Sequence, residues 1–278
     1  MVDEFDREQK YKLYRSLYEV IHPTISKKNI SNYRIVLDEK LVPIHIFYPK
    51  KISVINSVVI YIHGISSITD TKKGYSNICK RIALKMNSLV IGIEYNSKTN
   101  TSAKNIIDEC FNIVNYIYQN IEKYGIGKDK IILMGDSIGA CIIECINNKD
   151  KKFKINNEVL FYPVLDLNKK TDDSVFKVLV NKINKYLKNK DEFISLDEID
   201  IKNHPKTLIF TADKDPYKED GEYLNKKLKE TKTISSHINY EFMTHGFLNI
   251  EEDGFNDQVI KEINKFIKKG EKDGKEKN

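Results

Sequence analysis

Residues 130–140 read KIILMGDSIGA. Ile131, Ile132, Leu133 and Met134 make an apolar run of the length of a buried strand. Gly135-Asp136-Ser137-Ile138-Gly139 follows, and Ala140, Cys141, Ile142, Ile143 and Cys145 then recur with helical spacing. A strand that turns sharply into a helix, with serine at the apex and glycines two before and two after it, forms a nucleophile elbow. The glycines answer to crowding. The apex backbone is strained, and side chains at 135 and 139 would collide with the neighbouring strand and helix. The turn lifts the Ser137 hydroxyl to the top of a sheet. It also sets it at a helix N-terminus, where backbone N–H groups face a developing anion.

Working outward, the chain alternates strands and helices. Downstream, 158–162, 207–210 and 237–243 read as strands, and 174–188, 221–231 and 256–268 as helices. Upstream, 58–62 and 88–95 are continuous apolar strands, and 75–86 and 103–124 are helices. The second of these helices lines one face with Ile106, Ile107, Cys110, Ile113, Val114, Ile117 and Ile121, and Gly125 stops it. Residues 33–37 and 42–48 alternate about Asp38-Glu39 and read as an edge hairpin, and 5–21 reads as an amphipathic helix ending at His22-Pro23. The pattern predicts an α/β fold with about eight strands. Apolar strands without alternation belong to a mostly parallel sheet covered by helices on both faces. One domain over 1–278 is expected, with 1–30 and 165–203 outside the alternation as lid elements and a disordered tail over 270–278.

Ligands of such a sheet sit beyond the carboxyl ends of its strands. Ser137 follows one strand, Asp213 and Asp215 follow a later one, and His245 follows the last. A serine hydroxyl becomes a nucleophile when a neutral imidazole takes its proton and a carboxylate fixes that imidazole's tautomer. The catalytic candidates are therefore Ser137, His245 and Asp215, with Asp213 the rival acid. The other histidines compete poorly. His22 and His204 precede prolines, His45 lies in a strand, and His237 begins one. His63 sits at the sheet top on the loop His63-Gly64-Ile65-Ser66, where its best role is a loop clamp. The oxyanion-hole donors are the N–H of Ile138 and the backbone of Gly64, Ile65 and Ser66. Asp136 reads as a structural salt-bridge residue without a chemical role.

These stretches resemble the α/β-hydrolase superfamily and, within it, the hormone-sensitive-lipase-like esterases. Met134-Gly135-Asp136-Ser137-Ile138-Gly139-Ala140 is similar to that group's GDSAGG elbow. Thr211-Ala212-Asp213-Lys214-Asp215-Pro216-Tyr217 is similar to its acid loop, in which the aspartate before proline is the triad member. His245-Gly246-Phe247 is similar to its HGF segment, and His63-Gly64-Ile65-Ser66 stands where the group has HGGG. The resemblance covers about 57–268 and implies a serine carboxylesterase acting through an acyl-enzyme on small esters. It implies a lid over the acyl pocket, at the places of 1–30 and 165–203. Ile65 and Ser66 replace glycines, so that loop cannot use positive φ freely. An amidase or peptidase on the same triad, and a non-catalytic binding protein of this fold, are the alternatives.

Composition narrows the field. The 278 residues, 40% hydrophobic, can bury one large core or two small ones. The charged opening MVDEFDREQK lacks the pattern of a secretory signal, and no apolar run approaches the ~20 residues of a membrane span. A cytoplasmic location follows as the expectation. Cys79, Cys110, Cys141 and Cys145 lie among apolar neighbours without a C-x-x-C pair, which argues for buried thiols and against a metal site. Net charge is +6, yet the lysines alternate with acids along solvated faces. That is no nucleic-acid footprint. The expected partner is a small-molecule ester, with no cofactor, no metal, no nucleic acid and no membrane insertion; a homodimer stays open.

Overall fold

The computed structural model describes residues 30–37, 40–51, 54–64, 71–95, 101–149, 151, 153–169, 177–178, 180–181, 187–188, 192–249 and 255–275. Strands β1 (Ile30–Leu37), β2 (Lys40–Phe47), β3 (Val58–Ile62), β4 (Leu89–Ile93), β6 (Ile131–Asp136), β7 (Asn157–Phe161), β9 (Lys206–Lys214) and β10 (Ser235–Thr244) form one eight-stranded sheet in the order β1-β2-β4-β3-β6-β7-β9-β10. The expected hairpin is the antiparallel β1–β2 pair, with Leu37 opposite Lys40. It joins β4 antiparallel, and every later pairing is parallel. Two short strands, β5 (Thr101–Ser102) and β8 (Leu187–Lys188), pair apart from the sheet.

The continuous apolar runs arise because both sheet faces are covered. Val58, Ile60 and Ile62 of β3 and Ile131 and Leu133 of β6 face one core. Val59 and Tyr61, with Ile132 and Met134, face the other. The first core is closed by α2 (Ala103–Asn120), α3 (Ile138–Asn148) and α4 (Lys218–Glu230), the second by α1 (Thr71–Met86) and α5 (Phe255–Lys275). Helix α3 is buried from Ile138 to Ile146, as its apolar residues on every side require, and Glu144 is buried with them. The four cysteines are free and buried.

The helix after β3 covers one face and the helix after β6 covers the other. Adjacent strands whose chains leave in opposite directions open a crevice at their carboxyl ends. That crevice lies between the exits of β3 and β6, at His63-Gly64 and Ser137.

The structure corrects three expected boundaries. Lid stretch 1–30 ends early, because Ile30 already pairs with Phe47; the helix expected over 5–21 lies outside the described residues. The helix expected over 174–188 fails at its end, where Leu187–Lys188 pairs with Thr101–Ser102. The tail expected from 270 continues α5 to Lys275, since adding a turn to a formed helix costs little and Lys and Glu are good helix formers.

The described ends of 165–203 are tied down. The Leu165 and Asp166 amides both donate to Asp220 of α4 at 2.8 Å. The Ile194 amide approaches Cys145 Sγ at 3.3 Å, and Phe193 and Ile199 enter the first core.

Candidate active site

Ser137 caps β6 with φ 55° and ψ −123°, backbone values that a serine rarely holds. Its amide donates to the Phe161 carbonyl at 2.9 Å, and its carbonyl accepts from Ala140 and Val164 at 3.1 and 3.3 Å. The elbow is therefore stapled to β7 and to its own helix. The flanking glycines are required by close approach. A side-chain carbon at Gly135 would stand 2.8 Å from Ile143 Cδ1, and one at Gly139 would fall on the Ile62 carbonyl oxygen.

The three side chains taken from separate strand ends meet. Ser137 Oγ lies 2.8 Å from His245 Nε2, and His245 Nδ1 lies 2.8 Å from Asp215 Oδ2. A carboxylate only accepts, so Nδ1 carries the proton and Nε2 offers its lone pair to the serine hydroxyl. The other oxygen of Asp215 accepts the Tyr217 amide at 2.9 Å, which fixes the carboxylate's rotation. The Asp215 side chain is fully buried, whereas that of His245 is 12% exposed, so the imidazole meets the crevice and the carboxylate behind it does not. Asp213 belongs to no such chain; its side chain is a quarter exposed and its nearest cation is Lys214 at 3.9 Å.

The expected oxyanion donors divide. Ile138 is the first residue of α3, where an amide has no acceptor within the helix. Ile65 and Ser66 lie outside the described residues. Gly64 lies against the elbow, beside Ser137 and Asp136. Its value is its size, since a side-chain carbon at 64 would stand 2.8 Å from Ser137 Cβ. His63 does act as a clamp. Its ring lies between Tyr75 and Tyr95, with centroids at 4.7 and 4.6 Å, its Nδ1 donates to the Gly64 carbonyl at 2.7 Å, and burial lowers its pKa.

Asp136 is corrected too. The expected salt bridge is replaced by hydrogen bonds from the Tyr61 hydroxyl at 2.8 Å and the Tyr162 hydroxyl at 3.5 Å. Burial raises its pKa, and the Tyr61 hydrogen bond opposes the rise. The residue type at 136 gave no hint of two phenols, which come from β3 and the end of β7.

Among the described residues one group has metal-ligand composition, Glu144, Glu158 and His204, at the opposite end of the sheet. These groups are held by hydrogen bonds, although Glu144 Oε1 is buried without a partner among the described residues. His204 Nε2 donates to Glu144 at 2.9 Å, and Glu158 accepts from Thr207 at 2.8 Å and from Asn147 at 2.6 Å. Sequence reading set His204 aside for preceding a proline and did not see its carboxylate partners, which lie far from it along the chain.

With this geometry in hand, the comparisons agree with the fold. Residues 59–249 match the profile of the alpha/beta hydrolase fold family, and the chain belongs to that family. Its place there is with the esterase/lipase-like hydrolases. It is 25% identical over 267 residues to an arylesterase of Saccharolobus solfataricus, covering 88% of this chain and 86% of that protein. An acetyl esterase of Salmonella schwarzengrund is 23% identical, over 69% of this chain and 65% of its own length. The structure of a hyperthermophilic esterase from Pyrobaculum calidifontis superposes with a TM-score of 0.73 at 19% identity, over 97% of this chain and 93% of its own. No helix among the described residues is long and apolar enough to cross a membrane.

Proposed function

We propose that this protein is a carboxylesterase that cleaves small carboxylic esters through a Ser137–His245–Asp215 triad. Ser137 Oγ attacks the acyl carbonyl while its proton passes to His245 Nε2, and Asp215 holds the resulting imidazolium. The tetrahedral oxyanion takes the Ile138 amide and backbone amides of Gly64, Ile65 and Ser66. Collapse expels the alcohol, which leaves with the proton from His245. Water then attacks the acyl-enzyme, giving its proton to His245, and the carboxylic acid departs as Ser137 recovers its hydrogen. Every proton moves through one imidazole, so the cycle needs no cofactor. The stretch before residue 30 and the segment 165–203 cover the acyl pocket in this reading, and one domain carries the whole reaction.

The observation that carries the proposal is the pair of 2.8 Å contacts linking hydroxyl, imidazole and buried carboxylate. Turnover of p-nitrophenyl acetate tests it. The Ser137→Ala variant should lose about 10⁴-fold or more in kcat. Turnover equal to that of the unaltered protein overturns the assignment. An anilide of the same acyl group measures the amidase alternative.

A further inference from the structure

We propose that Tyr162 is a positioning residue: its ring and hydroxyl hold the His245 loop in register with the nucleophile elbow. The kinetic part of its test rests on the esterase reading, and the spectroscopic part does not.

Tyr162 directly follows β7 with φ 37°, in the left-handed region. A bulky aromatic there is a genuine outlier, sustained only where its surroundings over-determine it. Here they do. Its amide donates to the Phe210 carbonyl at 2.7 Å, and its side chain is buried. Its ring meets the His245 imidazole at 4.9 Å between centroids and 62° between planes, an edge contact. It meets Phe247 in the same manner at 4.8 Å and 76°.

The hydroxyl completes the bridge. It donates to Asp136 Oδ2 at 3.5 Å. Asp136 is the residue before the nucleophile, while the ring faces His245 and Phe247. A single side chain thus joins the elbow to the histidine loop, two groups that must stay within proton-sharing distance. A merely space-filling aromatic would account for the burial. It would not account for a strained backbone together with a polar partner on the elbow and ring contacts on the histidine loop. An ordinary backbone at 162 would carry the ring away from His245.

Two variants separate the parts of the residue. Tyr162→Phe keeps the ring and loses the hydrogen bond to Asp136. Tyr162→Asn tolerates positive φ and loses the ring. With p-nitrophenyl acetate, Tyr162→Phe should lower kcat about 10-fold and Tyr162→Asn about 100-fold, with KM changed less than about twofold. Independently, the low-field proton resonance of His245 Nδ1–H, shared with Asp215, should move in Tyr162→Phe and disappear by exchange in Tyr162→Asn. Loss of kcat matched by an equal loss of folded protein, read by circular dichroism, marks a folding defect alone and overturns the proposal. So does a resonance unmoved in both variants. A wild-type protein without turnover sinks the esterase reading, and the resonance then decides the role of Tyr162 by itself.

Discussion

Asp213 and Asp215 leave the same strand two positions apart, and their surroundings separate them. Asp215 is sealed from water, accepts the His245 Nδ1 proton at 2.8 Å and is oriented by the Tyr217 amide. Asp213 has a partly exposed side chain beside Lys214. Asp215→Asn should lower kcat by about 10³–10⁴-fold, because an amide donates where the imidazole needs an acceptor and the wrong tautomer results. Asp213→Asn should stay within about threefold of the unaltered rate, since it breaks no chain of proton transfer. Steady-state kinetics on one ester settles both. At this scale Ser137, His245 and the acid loop were legible, because each stands where an apolar run stops and local spacing shows it. The engagement of Asp136 by Tyr61 was not, nor was the backbone sign at Tyr162. Both depend on what approaches across the sheet, and neighbouring residue types do not encode that.

The elbow and its helix act as one element. Strand β6 stops, the chain reverses at a residue held with positive φ, and α3 begins against the backbone of β3. Gly139 is the point of contact. A methyl group there would strike the Ile62 and His63 carbonyls, which belong to backbone and cannot swing aside. Gly139→Ala should therefore destabilise the protein by about 1–3 kcal/mol or more, read as a lowered midpoint of thermal unfolding. It should also lower activity, because the strand that must shift ends in the loop bearing Gly64. Elements of this kind follow from the sequence, since their glycines and apolar runs have one simple solution. The segment over 174–188 did not. Its apolar residues recur at helical spacing, and four described residues, 177–178 and 180–181, are helical. Yet Leu187–Lys188 takes a short pairing with Thr101–Ser102, a contact across more than 80 positions that periodicity cannot reveal.

For the molecule as a whole, the two ends of the sheet do different work. The carboxyl ends gather the groups read as catalytic. The opposite end holds Glu144, Glu158 and His204, buried without solvent contact, with Lys151 and Asp200 facing the same cluster. Burial, then the nearby Glu144 carboxylate, raises the Glu158 pKa to about 8. Burial alone would lower that of His204, but Glu144 and Glu158 outweigh it and raise the value to about 10. In both cases the folded state binds a proton that the unfolded chain releases at lower pH. Their stabilisation is complete below the unfolded values, near 4.5 and 6.5, and is lost as pH rises through about 8 and about 10. The two windows overlap between about 6.5 and 8, where thermal stability should fall most steeply, by about 1 kcal/mol per pH unit for each proton. Glu158→Gln should remove roughly half of that slope, measured as the unfolding midpoint in a series of buffers. An unchanged slope would show that the cluster does not hold these protons.

The alternation of strands and helices, read with the chain order serine, aspartate, histidine, was enough to expect this architecture from the sequence. What it could not supply was the cluster just described. Its three members sit on a helix, a strand and a loop, and only the folded sheet brings them together.

The most direct test is intact-protein mass spectrometry after exposure to a fluorophosphonate. The account predicts a single adduct, mapped by peptide analysis to Ser137, forming rapidly in the unaltered protein and at least about 10³-fold more slowly in His245→Ala. An unlabelled protein, or an adduct on Ser137 that forms equally fast without the imidazole, would contradict it.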